Sequence, residues 1–146
     1  MAGLTIRIDV VSSEENLFSG DASFVVIPTE SGEIGVYPRH EPLLSKVRPG
    51  VLRITPASGG EEILMAVSGG VVEILPDCIT VLSDIAIRSA EFDIEAAKKA
   101  RDDAEKAASN KDTDYHGTAS AEARLAAAIA QLKAVEYIRG KEKSGR

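Results

Sequence analysis

SGEIGVYPRHEPLLSKVRPG, residues 31–50, cannot be a helix. Gly32, Gly35, Pro38, Pro42, Pro49 and Gly50 punctuate its short apolar runs, and prolines at that density fix φ, remove donors and force turns. The stretch is extended chain broken at set points, the middle of a compact β domain. Working outward, residues 4–10 alternate apolar Leu4, Ile6, Ile8 and Val10 with polar Thr5, Arg7 and Asp9, the period of a half-buried strand. Leu17 and Phe18 resume after Ser12-Ser13, and 24–27 form a β-rich run that Pro28 is expected to end. Further strands are predicted at 33–37, 43–47, 51–55, 62–67, 71–75 and 79–82, with turns at Gly59-Gly60 and Pro76-Asp77. Short strands at this spacing, with no helical period between them, predict an antiparallel β-sandwich.

From Phe92 the texture changes to Ala, Lys, Glu and Asp, a helix-forming composition. Asp93 is the expected N-cap, with Glu95 in the first turn. Ala97, Ala100, Ala104 and Ala107 recur at steps of three and four as a narrow seam. Polar residues from Ser109 to Asp114, with Gly117, interrupt the pattern. A second helix is expected over 119–138, with Leu125, Ile129, Leu132 and Val135 on its buried face, followed by a frayed basic tail over 140–146. The predicted class is therefore α+β: an N-terminal sandwich over 1–87 and an antiparallel two-helix hairpin over 88–146. Alanine-lined helices bury little area, so the hold on the hairpin is small and a two-state arm is permitted.

Charge divides at the same place. Residues 1–87 carry 5 Lys+Arg against 12 Asp+Glu, and residues 88–146 carry 12 against 11, so −7 and +1 sum to the −6 of the whole chain. Neither unit presents a basic nucleic-acid surface. Aromatic residues are 4% with no Trp, which leaves the core aliphatic. The single Cys78 excludes an internal disulfide and suits a reducing compartment. No apolar run nears the roughly 20 residues of a membrane span, and no signal peptide is evident, so a membrane link is expected only through a partner.

Chemistry-bearing motifs are missing. His40 and His116 lie in different units, far in sequence from Cys78, with no metal-ligand spacing. His40 reads either as a loop hydrogen-bonder or as an interface residue, and His116 as a solvated turn residue. No serine has the turn or the His-Asp pairing of a nucleophile, so no catalytic residue is expected. Gly59-Gly60 and Gly69-Gly70 lack the Gly-Lys-Ser/Thr sequel of a phosphate loop and read as turns or bulges. Lys98, Lys99, Arg101, Asp102, Asp103, Glu105 and Lys106 form a solvated helix face with i,i+4 pairs unless a partner covers it.

Specific runs carry a resemblance: Ile8-Asp9-Val10-Val11-Ser12, Phe18-Ser19-Gly20, Gly32-Glu33-Ile34-Gly35-Val36-Tyr37-Pro38, His40-Glu41-Pro42-Leu43-Leu44, Val67-Ser68-Gly69-Gly70-Val71-Val72-Glu73-Ile74, Thr80-Val81-Leu82-Ser83-Asp84 and Ala128-Ile129-Ala130-Gln131-Leu132. In these the chain resembles, over nearly its whole length, the epsilon subunits of bacterial F-type ATP synthases. The resemblance implies a rotor subunit, peripheral at the cytoplasmic face of the inner membrane. It would couple the c ring to the gamma subunit and inhibit ATP hydrolysis when its helices extend into the catalytic alpha/beta head. Glu33 and Ile34 would face the c ring, and Ser12 and His40 would face gamma. Tyr37, beside Ile34 and the glycines, reads as part of an exposed apolar docking loop. Lys98, Lys99, Arg101 and Arg124 would meet acidic segments of the head.

Some relatives hold ATP through Ile/Leu-Asp-x-x-Arg-Ala at the start of the first helix. Here the run is Phe92-Asp93-Ile94-Glu95-Ala96-Ala97, with Ala96 in place of the arginine, so no cofactor is expected. Lys98 lies about 200° around the helix from Ala96 and does not replace it. Asp93 would take part only in a residual site. A rival reading is a free-standing sandwich that binds a ligand under a helical lid. Co-purification with a membrane-attached ATPase separates the two.

Overall fold

The computed structural model describes residues 3–109 and 118–145. Nine strands come first: β1 (Ile6–Val11), β2 (Asn16–Thr29), β3 (Gly32–Val36), β4 (Leu43–Val47), β5 (Gly50–Pro56), β6 (Ile63–Val67), β7 (Gly70–Ile74), β8 (Cys78–Leu82) and β9 (Ala86–Arg88). A single 3-10 turn, Ser89–Glu91, leads to α1 (Ile94–Ser109) and α2 (Thr118–Ser144). The strands follow the order β1-β8-β7-β4-β2-β5-β6-β9, with β3 on β2, and a further β1–β2 pairing closes β1, β8, β7, β4 and β2 into a ring. All pairs are antiparallel except β1–β8, which is parallel.

The two layers share β2. Its first half pairs with β1, from Ile6↔Ala22 to Val10↔Phe18, and its second half with β3 and β5. Pro28 does not end this strand, contrary to expectation. A proline withdraws one donor but keeps its carbonyl, and that carbonyl accepts the Arg48 amide at 3.0 Å. Alternate residues of both layers point inward to an aliphatic core that includes Ile6, Ile8, Val10, Val25, Ile27, Leu52, Ile54, Met65, Val72, Ile74, Ile79 and Val81. Leu4, by contrast, precedes β1 and is exposed. The short strand β9, which sequence did not predict, pairs with β6 through Met65↔Arg88, Ala66↔Ile87 and Val67↔Ala86. Ile87 thus lies inside a strand.

The helices depart further from expectation. α2 runs on through Gly140 to Ser144, so 140–144 is helix and not a frayed tail. Its buried face is Ala127, Ala128, Ala130, Gln131 and Ala134, while Leu125, Ile129, Leu132 and Val135 are only half-buried. The cause is close packing. Alanines let two backbones and a sheet approach in the middle of the seam, which pushes the larger side chains to its margins. On α1 the matching seam has Ala97 buried and Ala100 and Ala104 half-buried. The predicted turn with His116 and Gly117, and the Ala107 side chain, lie outside the described residues.

Candidate partner interface

The strands β4, β7 and β8 carry apolar residues on both faces. Their inward set, Val47, Val72, Ile74, Ile79 and Val81, fills the core. The outward set contains Leu44 at 70% exposure, Val71 and Leu82. Register brings these together: Leu44 is opposite Glu73, Lys46 opposite Val71, and Val71 opposite Leu82. Leu44 is therefore diagonal to Val71, and the three residues form an uncovered apolar patch on an outer sheet face with Lys46 and Glu73 set among them, a feature that marks interaction surfaces. Sequence reading missed it, although consecutive pairs such as Leu43-Leu44 and Val71-Val72 break the two-residue alternation and give the signal.

Ser12 and His40 lie at opposite ends of this face. Ser12 follows β1 beside the end of β8, where the Ser83 amide donates to the Val11 carbonyl at 2.9 Å. Its hydroxyl accepts from the amides of Glu14 at 3.2 Å and Glu15 at 3.1 Å, so it ties a tight turn. His40 follows Arg39, whose φ of 66° is left-handed and whose amide donates to the Pro76 carbonyl at 2.7 Å, at the other end of β7. The His40 Nδ1–H donates to the Glu41 carbonyl at 2.6 Å.

Glu33, Ile34 and Tyr37 are set apart, on and after β3. Ile34 is not the exposed residue the sequence suggested; it is half-buried and packs on the core. The pleat turns 34 and 36 inward and leaves 33, 35 and 37 outside. Tyr37 is 64% exposed and lies against Phe24 with ring centroids 4.5 Å apart. The Phe24 ring crosses Gly35, where an added Cβ would sit 2.9 Å from it, so glycine at 35 is what leaves room for that ring.

The outer face of β5 and β6 is where the helical hairpin docks. Val51 and Leu64 meet Ala134, with Phe92, Tyr137 and Ile138 packed around them. Arg53 stands on the same face. Its Nη1 donates to Tyr137 Oη at 3.0 Å and its Nη2 to Glu33 Oε2 at 3.0 Å, while the guanidinium carbon lies 4.8 Å from the centre of the Tyr137 ring. Tyr137 Oη then donates to Glu62 Oε2 at 3.2 Å, which also accepts from Lys141 Nζ at 3.4 Å. Burial lowers the Arg53 pKa, but its hydrogen bond to Tyr137 and the charges of Glu33 and Glu62 outweigh it, so the net direction is upward. Arg53 is a permanent cation at this seam.

On the helices, Lys98, Lys99 and Arg124 are exposed and Arg101 is half-exposed. Lys98 pairs with Glu95 at 3.6 Å and Arg101 with Asp102 at 3.3 Å, which are local surface pairs of little energy. Asp93 caps α1, its Oδ1 accepting from the Ala96 amide at 2.9 Å, while its own amide donates to Gln131 Oε1 at 3.2 Å. Among the described residues no group of three or more His, Cys, Asp or Glu could hold a metal ion.

Two family models match the chain in succession: the ATP synthase delta/epsilon chain β-sandwich domain over residues 5–89, and its long α-helix domain over 91–136. The ATP synthase epsilon chain of Neisseria meningitidis is 54% identical over 138 residues, covering 94% of this chain and 98% of that protein. The epsilon chain of Delftia acidovorans is 48% identical over 137 residues, with 94% and 98% covered. Among solved structures, a chain of the Euglena gracilis mitochondrial ATP synthase superposes with a TM-score of 0.70 at 22% identity, covering 90% of this chain and 81% of that one.

Proposed function

Since this chain belongs to the ATP synthase delta/epsilon family, as an epsilon chain and a non-catalytic subunit, we propose that it couples the rotating c ring to the gamma subunit and restrains ATP hydrolysis through its helical hairpin. The observation that carries the coupling role is the uncovered patch of Leu44, Val71 and Leu82, with Lys46 and Glu73 among them, between Ser12 and His40. The outer face of β5 and β6 is covered by the chain's own α2, which leaves this patch to gamma. Glu33 and Tyr37 stand on a different edge and suit a second partner, the c ring. In the hairpin, the exposed cations Lys98, Lys99 and Arg124, with Arg101, suit acidic segments of the alpha/beta head, a contact that salt would weaken.

Among the described residues no helix is long and apolar enough to cross a membrane, and attachment at the cytoplasmic face of the inner membrane is proposed to run through the complex alone. ATP is proposed to bind weakly or not at all, since Asp93 is occupied as a cap and Ala96 offers no charge.

Leu44→Glu tests the interface. At 70% exposure the side chain contributes little to the fold, so the isolated subunit should keep its stability while its assembly with gamma falls at least tenfold, the effect of burying an unpaired charge. Assembly at wild-type strength would remove the patch from the interface. Deleting 89–146 tests the restraint: hydrolysis by the assembled enzyme should rise, and unchanged hydrolysis at low and high salt would leave only the coupling role.

A further inference from the structure

One guanidinium holds both Glu33 and Tyr137. Glu33 is on β3 and 59% exposed as a side chain, whereas Arg53 beneath it is 20% exposed. Three strands build this arrangement: Gly35, Val26 and Arg53 fall in one row across β3, β2 and β5, so Glu33 reaches over β2 to the guanidinium. The Arg53 Nε is buried with no hydrogen-bond partner. A cleft of about 180 Å³, lined among others by Arg48, Lys133, Glu33 and Tyr137, opens beside it.

We propose that Arg53 is a positioning residue shared between the exposed carboxylate of Glu33 and the helical hairpin's Tyr137, so that a cationic partner group engaging Glu33 loosens the hairpin. The guanidinium is planar and presents its donors at fixed angles, so Nη1 stays on Tyr137 while Nη2 stays on Glu33. When Glu33 turns to another cation, Arg53 loses its nearest counter-charge and keeps an orphaned Nε. Desolvation then favours the head swinging out through the cleft toward water. Tyr137 loses its donor, and the relay onward to Glu62 and Lys141 loses its inner end. The identity of the engaging group rests on the reading of Glu33 as partner-facing; the coupling itself does not.

A double-mutant cycle in the isolated full-length subunit tests the coupling, with hydrogen exchange of the α2 amides over 130–139 as the readout. Glu33→Gln should raise hairpin opening about threefold and Tyr137→Phe about tenfold, the range for a half-exposed ion pair and a charged-donor bond. The double variant should open about tenfold and not thirtyfold, because either change already frees Arg53. In an Arg53→Lys background, which keeps the charge but lacks the fork, the two changes should become independent. Exchange in β1, β7 and β8 should stay at wild-type rates throughout and serves as the check on folding. Multiplicative effects in the wild-type background, or coupling that survives Arg53→Lys, overturn the proposal. If Glu33→Gln leaves assembly with the c ring unchanged, the partner-facing reading fails and the coupling stands.

Discussion

Gly70 leaves no room for a side chain. Its φ is +128°, and an added Cβ would collide with the Leu82 carbonyl oxygen, so Gly70→Ala should cost about 3 kcal/mol or more through strain and displaced backbone. Gly59, with φ +82° in an open turn, meets nothing within 4 Å, and Gly59→Ala should cost only about 1–2 kcal/mol. Urea midpoints of the two variants separate backbone strain from collision; equal losses would leave strain as the whole effect. Ala96 sets a second expectation. An arginine there would add a fixed charge and several donors, and the loss of one charge-assisted contact, about 1.5–3 kcal/mol, is one to two decades of affinity. Calorimetric titration with ATP should therefore show no micromolar binding, and such binding would mean that another cation completes a site.

At the scale of elements, Ala134 is fully buried where α2 meets the sheet, against Val51 and Leu64. Ala134→Leu should overpack this seam by about 1–3 kcal/mol and release the helices without touching the sandwich core. Limited proteolysis reads this directly: cleavage within 92–145 should accelerate while a fragment near 3–88 persists. Equal acceleration in both parts would mean that the two are not separable. Much of this architecture was legible in sequence, because residues 4–10 alternate cleanly and the prolines near 38–49 permit only extended chain. What was not legible depended on partners across space. β2 continues through Gly20, Asp21 and Pro28, residues that punctuate most strands, because β1, β3 and β5 hold it from different sides. The buried face of α2 was misread for a similar reason. Periodicity favours the large residues Leu125 to Val135, whereas the available gap admits only alanine. Arg53, the centre of the seam network, is an unremarkable basic residue in a strand until Glu33 and Tyr137 arrive from 20 residues before it and 84 after it.

At the scale of the molecule, the sandwich core contains no hairpin residue among the described residues: its buried members and the half-buried Leu17, Phe18, Ile34, Ile63 and Ala86 all precede position 89. A chain of residues 1–88 should consequently unfold cooperatively, within about 1–2 kcal/mol of the full-length protein's sandwich transition, as urea unfolding followed by circular dichroism would measure. Loss of cooperativity would mean that the helices complete the core. The parallel β1–β8 pair has a kinetic consequence. Because Arg7↔Cys78 through Val11↔Leu82 join the two ends of the sandwich, the ring of strands cannot close until nearly the whole first domain has been synthesised, and contacts of such long range form slowly. Helices assemble from near neighbours in microseconds or less. They must nevertheless wait for β5 and β6 before they have a face to lie on. A newly made subunit thus passes through an interval in which its helices have formed and its sandwich is still open, so the arm is free before its own domain can hold it.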